Sequence, residues 1–227
     1  HVSRAVAPTA AWIPVPDAVP SAHAALAKLA AIAYRGVRLS RPSPHETVAV
    51  FGLGPIGAMA ARLHAITGAR VVAFDPNPLR RAACPVPSFD PSEAASVLGP
   101  GADVVVDATG HAAVATVALG LLRRPGWNEP EVRRPRFVVQ GSYAGDLAFD
   151  YHAAFHAEAE MLFPRDSSPD DARLCLDLMA RGLLNVVGMA ATFPAEAAPS
   201  AYEALKSGEA TGAVFDWTAG PVVGAAF

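Results

Sequence analysis

Residues 47–77, TVAVFGLGPIGAMAARLHAITGARVVAFDPN, constrain the fold more than any other stretch. Thr47-Val-Ala-Val-Phe51 is a short apolar run suited to a central parallel strand, buried on both faces. Gly52-Leu53-Gly54-Pro55-Ile56-Gly57 follows directly, and AMAARLHAITGA then predicts a helix ending at Gly68. Arg70–Phe74 predicts a second strand, closed by Asp75-Pro-Asn77. Strand, glycine turn, helix, strand and acidic end make a complete βαβ unit. Only in that context does G-x-G-x-x-G carry weight.

Each glycine has a separate physical task. Gly52 allows the tight turn, Gly54 lets a pyrophosphate approach the backbone, and Gly57 lets helix and strand pack closely. The helix N-terminus offers free N–H groups and a positive dipole end to phosphates. Asp75 lies 18 residues after Gly57, where a carboxylate accepts hydrogen bonds from two ribose hydroxyls and repels a 2′-phosphate. The expected cofactor is therefore NAD(H) rather than NADP(H), held by residues 52–57 with Asp75, Asn77 and Arg80. Arg80 and Arg81 blur that preference but are expected to be solvated helix residues.

The alternation continues on both sides. Residues 21–38 predict a helix with Ser21 as N-cap, and residues 2–15 a short strand and turn. Beyond the motif, helices are expected near 79–83, 92–98, 111–123, 152–160, 169–183 and 200–207. Strands are expected at 103–107, 137–140, 161–164 and 213–217. This order implies an α/β fold, a doubly wound parallel sheet with helices on both faces. Ala108-Thr109-Gly110, after the 103–107 strand, and Gly141-Ser142, after the 137–140 strand, fall at strand carboxyl ends, where open α/β sheets bind ligands. Their small side chains leave room for a nicotinamide riboside.

Composition excludes several classes. Hydrophobic residues are 52% of the 227 and charged residues 17%, so a sizeable core can form. A net charge of −3 makes a nucleic-acid partner a poor expectation. No apolar run approaches the roughly 20 residues needed to cross a bilayer. Two cysteines, Cys84 and Cys175, cannot build a disulfide framework, and with no visible signal peptide the expected location is cytoplasmic. The first residue is His1 rather than Met, so the chain is expected to be processed, tagged or truncated at its start.

These motifs resemble the medium-chain dehydrogenase/reductase superfamily, which includes the zinc alcohol and polyol dehydrogenases. The resemblance runs from the glycine turn through DVVVDATGH, FVVQGSYAG and LDLMARGLLNV to AYEALKSG and AVFDW. The C-terminal part is similar to a bacteriochlorophyllide a dehydrogenase-like branch. It implies a Rossmann cofactor domain at 21–184. It also implies a remnant of a GroES-like β-rich catalytic domain, formed by 1–20 and 185–227. The family's usual zinc ligands find no counterpart. One ligand position falls on Lys28, whose ammonium cannot coordinate zinc, so no catalytic metal is expected.

Without zinc, a side chain must polarise the carbonyl and supply a proton. Lys28 matches a position that faces the active site in the relatives, although a solvated helix lysine fits equally. Tyr34 could donate a phenolic proton or pack in the core. His111 could relay a proton or cap the next helix, and Tyr143 could border the nicotinamide. Tyr202 and Lys206 have the spacing of the short-chain dehydrogenase pair but lack that family's glycine pattern. His152 and His156 lie four apart without the Glu of H-E-x-x-H.

The expectation is an NAD(H)-dependent, zinc-independent oxidoreductase acting on a small alcohol or carbonyl substrate. The chain is also expected to pair as a homodimer through the cofactor domain, because strands at its two ends lack an obvious partner sheet. Two alternatives stay open: a dinucleotide-binding module without turnover, and a non-redox enzyme for cyclisation, elimination or epimerisation.

Overall fold

A computed structural model describes residues 5–127 and 133–218. Its first helical stretch is two helices rather than one, α1 (Ser21–Ala24) and α2 (Ala27–Ser40). Ser21 is not the cap. The Pro20 carbonyl accepts the N–H groups of His23 and Ala24, which makes Ser21 the first helical residue. The expected strand before it is absent among the described residues, where one turn of 3-10 helix occupies Thr9–Ala11. Pro8, Pro14 and Pro16 remove ladder donors there. Residues 2–4 of that expectation lie outside the described residues.

The βαβ unit forms as the sequence predicts, with β1 (Thr47–Phe51), α3 (Pro55–Ile66) and β2 (Arg70–Phe74). It is followed by α4 (Pro78–Ala82), β3 (Ser88–Phe89), α5 (Ala94–Leu98), β4 (Val104–Asp107), α6 (Ala112–Leu119) and β5 (Arg136–Val139). Next come α7 (Tyr151–Ala157), β6 (Glu160–Leu162) and α8 (Pro169–Ala180), then β7 (Ala191–Pro194), α9 (Ala198–Ser207) and β8 (Ala213–Asp216). Glu158 in the left-handed region ends α7 earlier than expected and turns the chain into β6. No helix among the described residues is long and apolar enough to cross a membrane.

Six strands form one parallel sheet in the order β3-β2-β1-β4-β5-β6. Each strand sends alternate side chains into two separate cores. Val48, Val50, Val104, Val106 and Val138 face α2, α3 and α8. Ala49, Phe51, Phe74, Val105 and Phe137 face the helices of the other side, with Phe51 stacked on Phe74 at 4.8 Å. Burying a side chain such as Phe74 contributes about 2–3 kcal/mol. β7 and β8 pair with each other in a separate two-stranded parallel sheet. The C-terminal strands therefore do have a partner, contrary to the expectation that prompted the dimer.

The amino ends of the strands are tied by charge. Arg136 donates to Glu46 at 2.6 Å, with both side chains almost fully buried, and Arg123 pairs with Asp103 at 2.5 Å. Beside them, His64 on α3 is fully buried; its Nδ1 faces the Ala60 carbonyl at 2.8 Å. Burial, the largest cause, holds the His64 pKa down from 6.5 to about 4, so the ring is neutral in the fold. The unfolded chain protonates this ring below pH 6.5 while the folded chain resists until about 4. Stability from this group is complete above pH 6.5 and is lost as pH falls toward 4, a difference of about 3 kcal/mol. Urea unfolding between pH 4 and 7 should show that slope, and His64→Gln should flatten it.

Candidate functional site

The strand order reverses between β1 and β4, which opens a crevice beyond their carboxyl ends. The glycine turn lines one wall. Gly52 adopts φ +85°, and its N–H donates to the Phe74 carbonyl at 2.8 Å. A Cβ on Gly57 would lie 1.8 Å from the Gly52 carbonyl oxygen, so only glycine lets α3 approach the turn this closely. Gly54 differs from both. Its φ is −64° and a Cβ there would meet nothing within 4 Å. The protein's own packing makes no demand for glycine at 54, so the open space suits a ligand pressed against the backbone. α3 begins at the next residue, with Pro55 in its first turn and the N-terminal amides behind it. The residues present therefore fit a dinucleotide pyrophosphate.

Asp75 is buried and braces this turn. One carboxylate oxygen accepts the Leu53 N–H at 2.6 Å and the other accepts the Asn77 N–H at 2.8 Å. Each oxygen keeps a further lone pair. Asn77 caps α4 through its side-chain oxygen. The two arginines are not the solvated residues expected from the sequence. Arg80 reaches Asp75 at 3.7 Å, and Arg81 donates to the Asp75 carbonyl at 2.6 Å. Ile56 packs partly buried against the α2-side core.

The opposite wall is built on Asp107, which is fully buried at the end of β4. One of its oxygens accepts the Thr109 N–H and hydroxyl, at 2.9 and 2.6 Å. The other accepts the Tyr143 hydroxyl at 2.7 Å. Ala108 donates its N–H to the Phe51 carbonyl, which fixes this turn beside the first. Gly110 and Gly141 touch: a Cβ on Gly141 would lie 2.6 Å from the Gly110 nitrogen, and one on Gly110 would lie 2.8 Å from the Ser142 carbonyl oxygen. Burial, and next the bond to Asp107, push the Tyr143 pKa well above its ordinary value. The Tyr143 hydroxyl, held as a neutral phenol, thus ties its own turn to the one after β4 through Asp107.

The other catalytic candidates separate in space. His111 is exposed, and its side chain makes no capping bond; its backbone N–H donates to the Thr109 hydroxyl instead. Tyr34 packs partly buried against the α2-side core, and burial chiefly raises its pKa. Lys28 is exposed and donates to Asp166 at 2.5 Å and to Ser167 at 2.9 Å. Nothing in the sequence signals that partnership across 138 positions. Cys84 is partly exposed, while Cys175 is buried and its thiol is pushed up to about 12 by desolvation. Lys206 pairs with Glu203. His152 and His156 stand exposed on α7, and among the described residues no three ligating side chains gather in a metal-binding group.

Sequence reasoning missed Arg62. It donates to the carbonyls of Ala58, Ala83 and Asn185, and burial lowers its pKa. With Arg80 it lines a cleft that also includes Gly54, Pro55 and Thr211, which gives the glycine turn an electropositive flank.

A parallel sheet with reversed strand order, a glycine turn at the reversal and a braced acidic residue at the next strand end define a doubly wound α/β nucleotide-binding architecture. Comparison with known proteins narrows this. No protein-family model matches the chain. L-galactonate-5-dehydrogenase of Escherichia coli is 32% identical over 177 residues, 73% of this chain and 49% of that protein. Erythritol/L-threitol dehydrogenase of Mycolicibacterium smegmatis is 31% identical over 148 residues, 60% of this chain and 38% of that protein. The chain thus spans about half the length, or less, of these curated relatives. Among solved structures, acetophenone reductase from Geotrichum candidum in complex with NAD superposes with a TM-score of 0.76 at 19% identity. That match covers 91% of this chain and 59% of the other, and it shows the shared fold.

The glycines give a direct test. Gly57→Ala should cost about 3 kcal/mol in urea unfolding, because backbone must move. Gly54→Ala should leave unfolding within about 0.5 kcal/mol of the parent. The same Gly54 variant should weaken dinucleotide binding at least tenfold by calorimetry, since the methyl group occupies the ligand's space.

Proposed function

We propose that the chain is the NAD(H)-binding part of a medium-chain dehydrogenase/reductase that interconverts a small alcohol and its carbonyl compound without zinc. The observation that carries this reading is the open side of Gly54, next to a turn whose other glycines are required by packing. The bound cofactor supplies the hydride chemistry. The chain's own residues bind and orient. First-turn amides of α3 take the pyrophosphate charge, and the spare lone pairs of Asp75 take ribose hydroxyls. Ala108, Thr109, Gly110, Gly141 and Ser142 leave the nicotinamide side open. The likeness to two dehydrogenases supports the reaction class. In this reading 21–184 is the cofactor domain, and 5–20 with 185–218 belong to a second, β-rich unit. The two free thiols suit a cytoplasmic setting.

One observation favours a second reading, use of NADP. Arg80 stands 3.7 Å from Asp75, where a 2′-phosphate would need a cation. Calorimetric titration with NAD, NADH, NADP and NADPH separates the two. NAD(H) should bind at least tenfold tighter than NADP(H). Asp75→Asn, which keeps an acceptor for the Leu53 N–H, should reduce that preference below threefold. Failure of all four nucleotides to bind would remove the cofactor reading.

The homodimer expectation now rests on β6. It is one of the two edge strands of the main sheet, and Tyr151, Phe155 and Phe163 stand exposed on either side of it in sequence. Light scattering should give twice the chain mass, and a single-chain mass would sink the dimer.

A further inference from the structure

The cleft beside the glycine turn holds a nucleophile that the cofactor reading does not use. Cys84 follows α4 and lines this cleft together with Gly54, Arg62, Arg80 and Thr211. It is half-buried, packed partly against the α2-side core. Cys175, the chain's other cysteine, is fully buried on α8.

The charge of the cleft is one-sided. None of its lining residues is acidic. Arg62 gives its hydrogen bonds to the carbonyls of Ala58, Ala83 and Asn185, which are neutral acceptors, so no carboxylate among them cancels its charge. Arg80 stands 3.7 Å from Asp75, beyond hydrogen-bond length, and its Nε is buried with no partner among the described residues. A buried N–H without an acceptor is costly, so the cleft suits an occupant that brings one. Cys84 lies within the same field. Burial, the larger influence, disfavours a charged Arg62, and the negative charge of a Cys84 thiolate favours it. The cleft thus presents a thiol beside two cations, and its wall includes the open side of Gly54.

We propose that Cys84 is a site of thiol–disulfide exchange with anionic low-molecular-weight disulfides, selected by Arg62 and Arg80, and that the mixed disulfide shuts the dinucleotide out. The second part rests on the cofactor reading and adds a redox control to it. The Cys84 thiolate attacks one sulfur of the disulfide. A new S–S bond forms at Cys84 as the old one breaks, and the departing half leaves as a thiolate that takes up the proton Cys84 released. Cys84 is oxidised, and that half of the reagent is reduced. Carboxylates on the attached half supply acceptors to the arginines. The attached group stands in the cleft that Gly54 lines, where a ligand pressed against the turn would need space. A reduced thiol reverses the step.

Glutathione disulfide, which is net negative, and cystamine, which is positive, are the probes. Mass spectrometry of the intact chain and its peptides follows each reaction, and the unfolded chain in urea sets the intrinsic rate ratio. Relative to that ratio, the folded chain should favour glutathione disulfide at Cys84 by at least about fivefold. In about 1 M salt, where the screening length is about 3 Å, the preference should fall below about twofold. Arg80→Gln should reduce it likewise without touching the carbonyl bonds of Arg62. Cys175 should stay unmodified until the chain unfolds. The modified chain should bind NAD at least tenfold more weakly by calorimetry, a reductant should restore binding, and Cys84→Ser should bind NAD normally with or without the disulfide. No preference over cystamine, a preference untouched by salt and by Arg80→Gln, or earlier modification of Cys175 would each overturn the exchange site. Unaltered NAD binding by the modified chain would overturn the control. The rate comparison uses no nucleotide, so its failure leaves the cofactor reading standing. Selective modification of a chain that binds none of the four nucleotides defeats the cofactor reading and leaves the exchange site standing.

Discussion

The closeness of α3 to β1 organises the rest of the molecule, and it depends on a missing atom. A Cβ at position 57 would stand inside the carbonyl oxygen of Gly52, at 1.8 Å. With hydrogen there instead, the helix N-terminus comes down onto the strand end. The turn then closes tightly enough for Asp75 to reach the Leu53 N–H at 2.6 Å. That bond joins β2 to the turn. The turn in turn abuts Ala108 and Thr109, so the β4 wall takes its place against the same contact. The crevice width, the aim of the helix amides and the burial of Asp75 all follow from one close approach.

The opposite rim is held by different forces. Arg136 and Glu46 form an ion pair with almost no exposure, and Arg136 Nε and Nη1 find no partner among the described residues. Removing one member of such a pair typically destabilises by about 3–5 kcal/mol, because the other charge is left buried. The neutral His64 nearby adds a group that tolerates no extra positive charge. The sheet is thus fastened electrostatically at its amino ends and by backbone contacts at its carboxyl ends.

Much of this was legible in the sequence, for an identifiable reason. The β1–α3–β2 unit is local, and its apolar runs and glycines are constrained by neighbours within thirty positions, so both strands agree with the pattern residue by residue, while α3 starts at Pro55 and ends at Ile66, earlier at both ends than expected. β3 was missed because two residues carry no periodicity. β7 was missed because its four residues end in Pro194 and lie mostly exposed. The helix from Ser21 divides at Ala25 and Leu26, where the Leu26 N–H donates to the His23 carbonyl three residues back, a local tightening that alanine-rich spacing does not mark. Within the site, the glycines and Asp75 were visible from spacing. The side-chain partners of Lys28, Tyr143 and Arg62 were not, because each lies on a distant segment. Tyr143 shows the difference well. Its place after Gly141-Ser142 drew attention to it as a border of the nicotinamide, but the bond to Asp107, 36 positions earlier, has no signal in the sequence.

Asp75 and Asp107 share a habit with a wider consequence. Asp107 ends β4 and Asp75 directly follows β2, and each carboxylate accepts N–H groups of the turn beside it. The rim is consequently braced through its own backbone. Gly52, Gly57, Gly110 and Gly141 stand where the walls touch, and each would strike a neighbour within about 3 Å if it gained a single carbon. Such a surface is shaped by what is left out of it. It is vulnerable to growth rather than to loss, so at these positions the smallest enlargement should do more harm than trimming a side chain from either core.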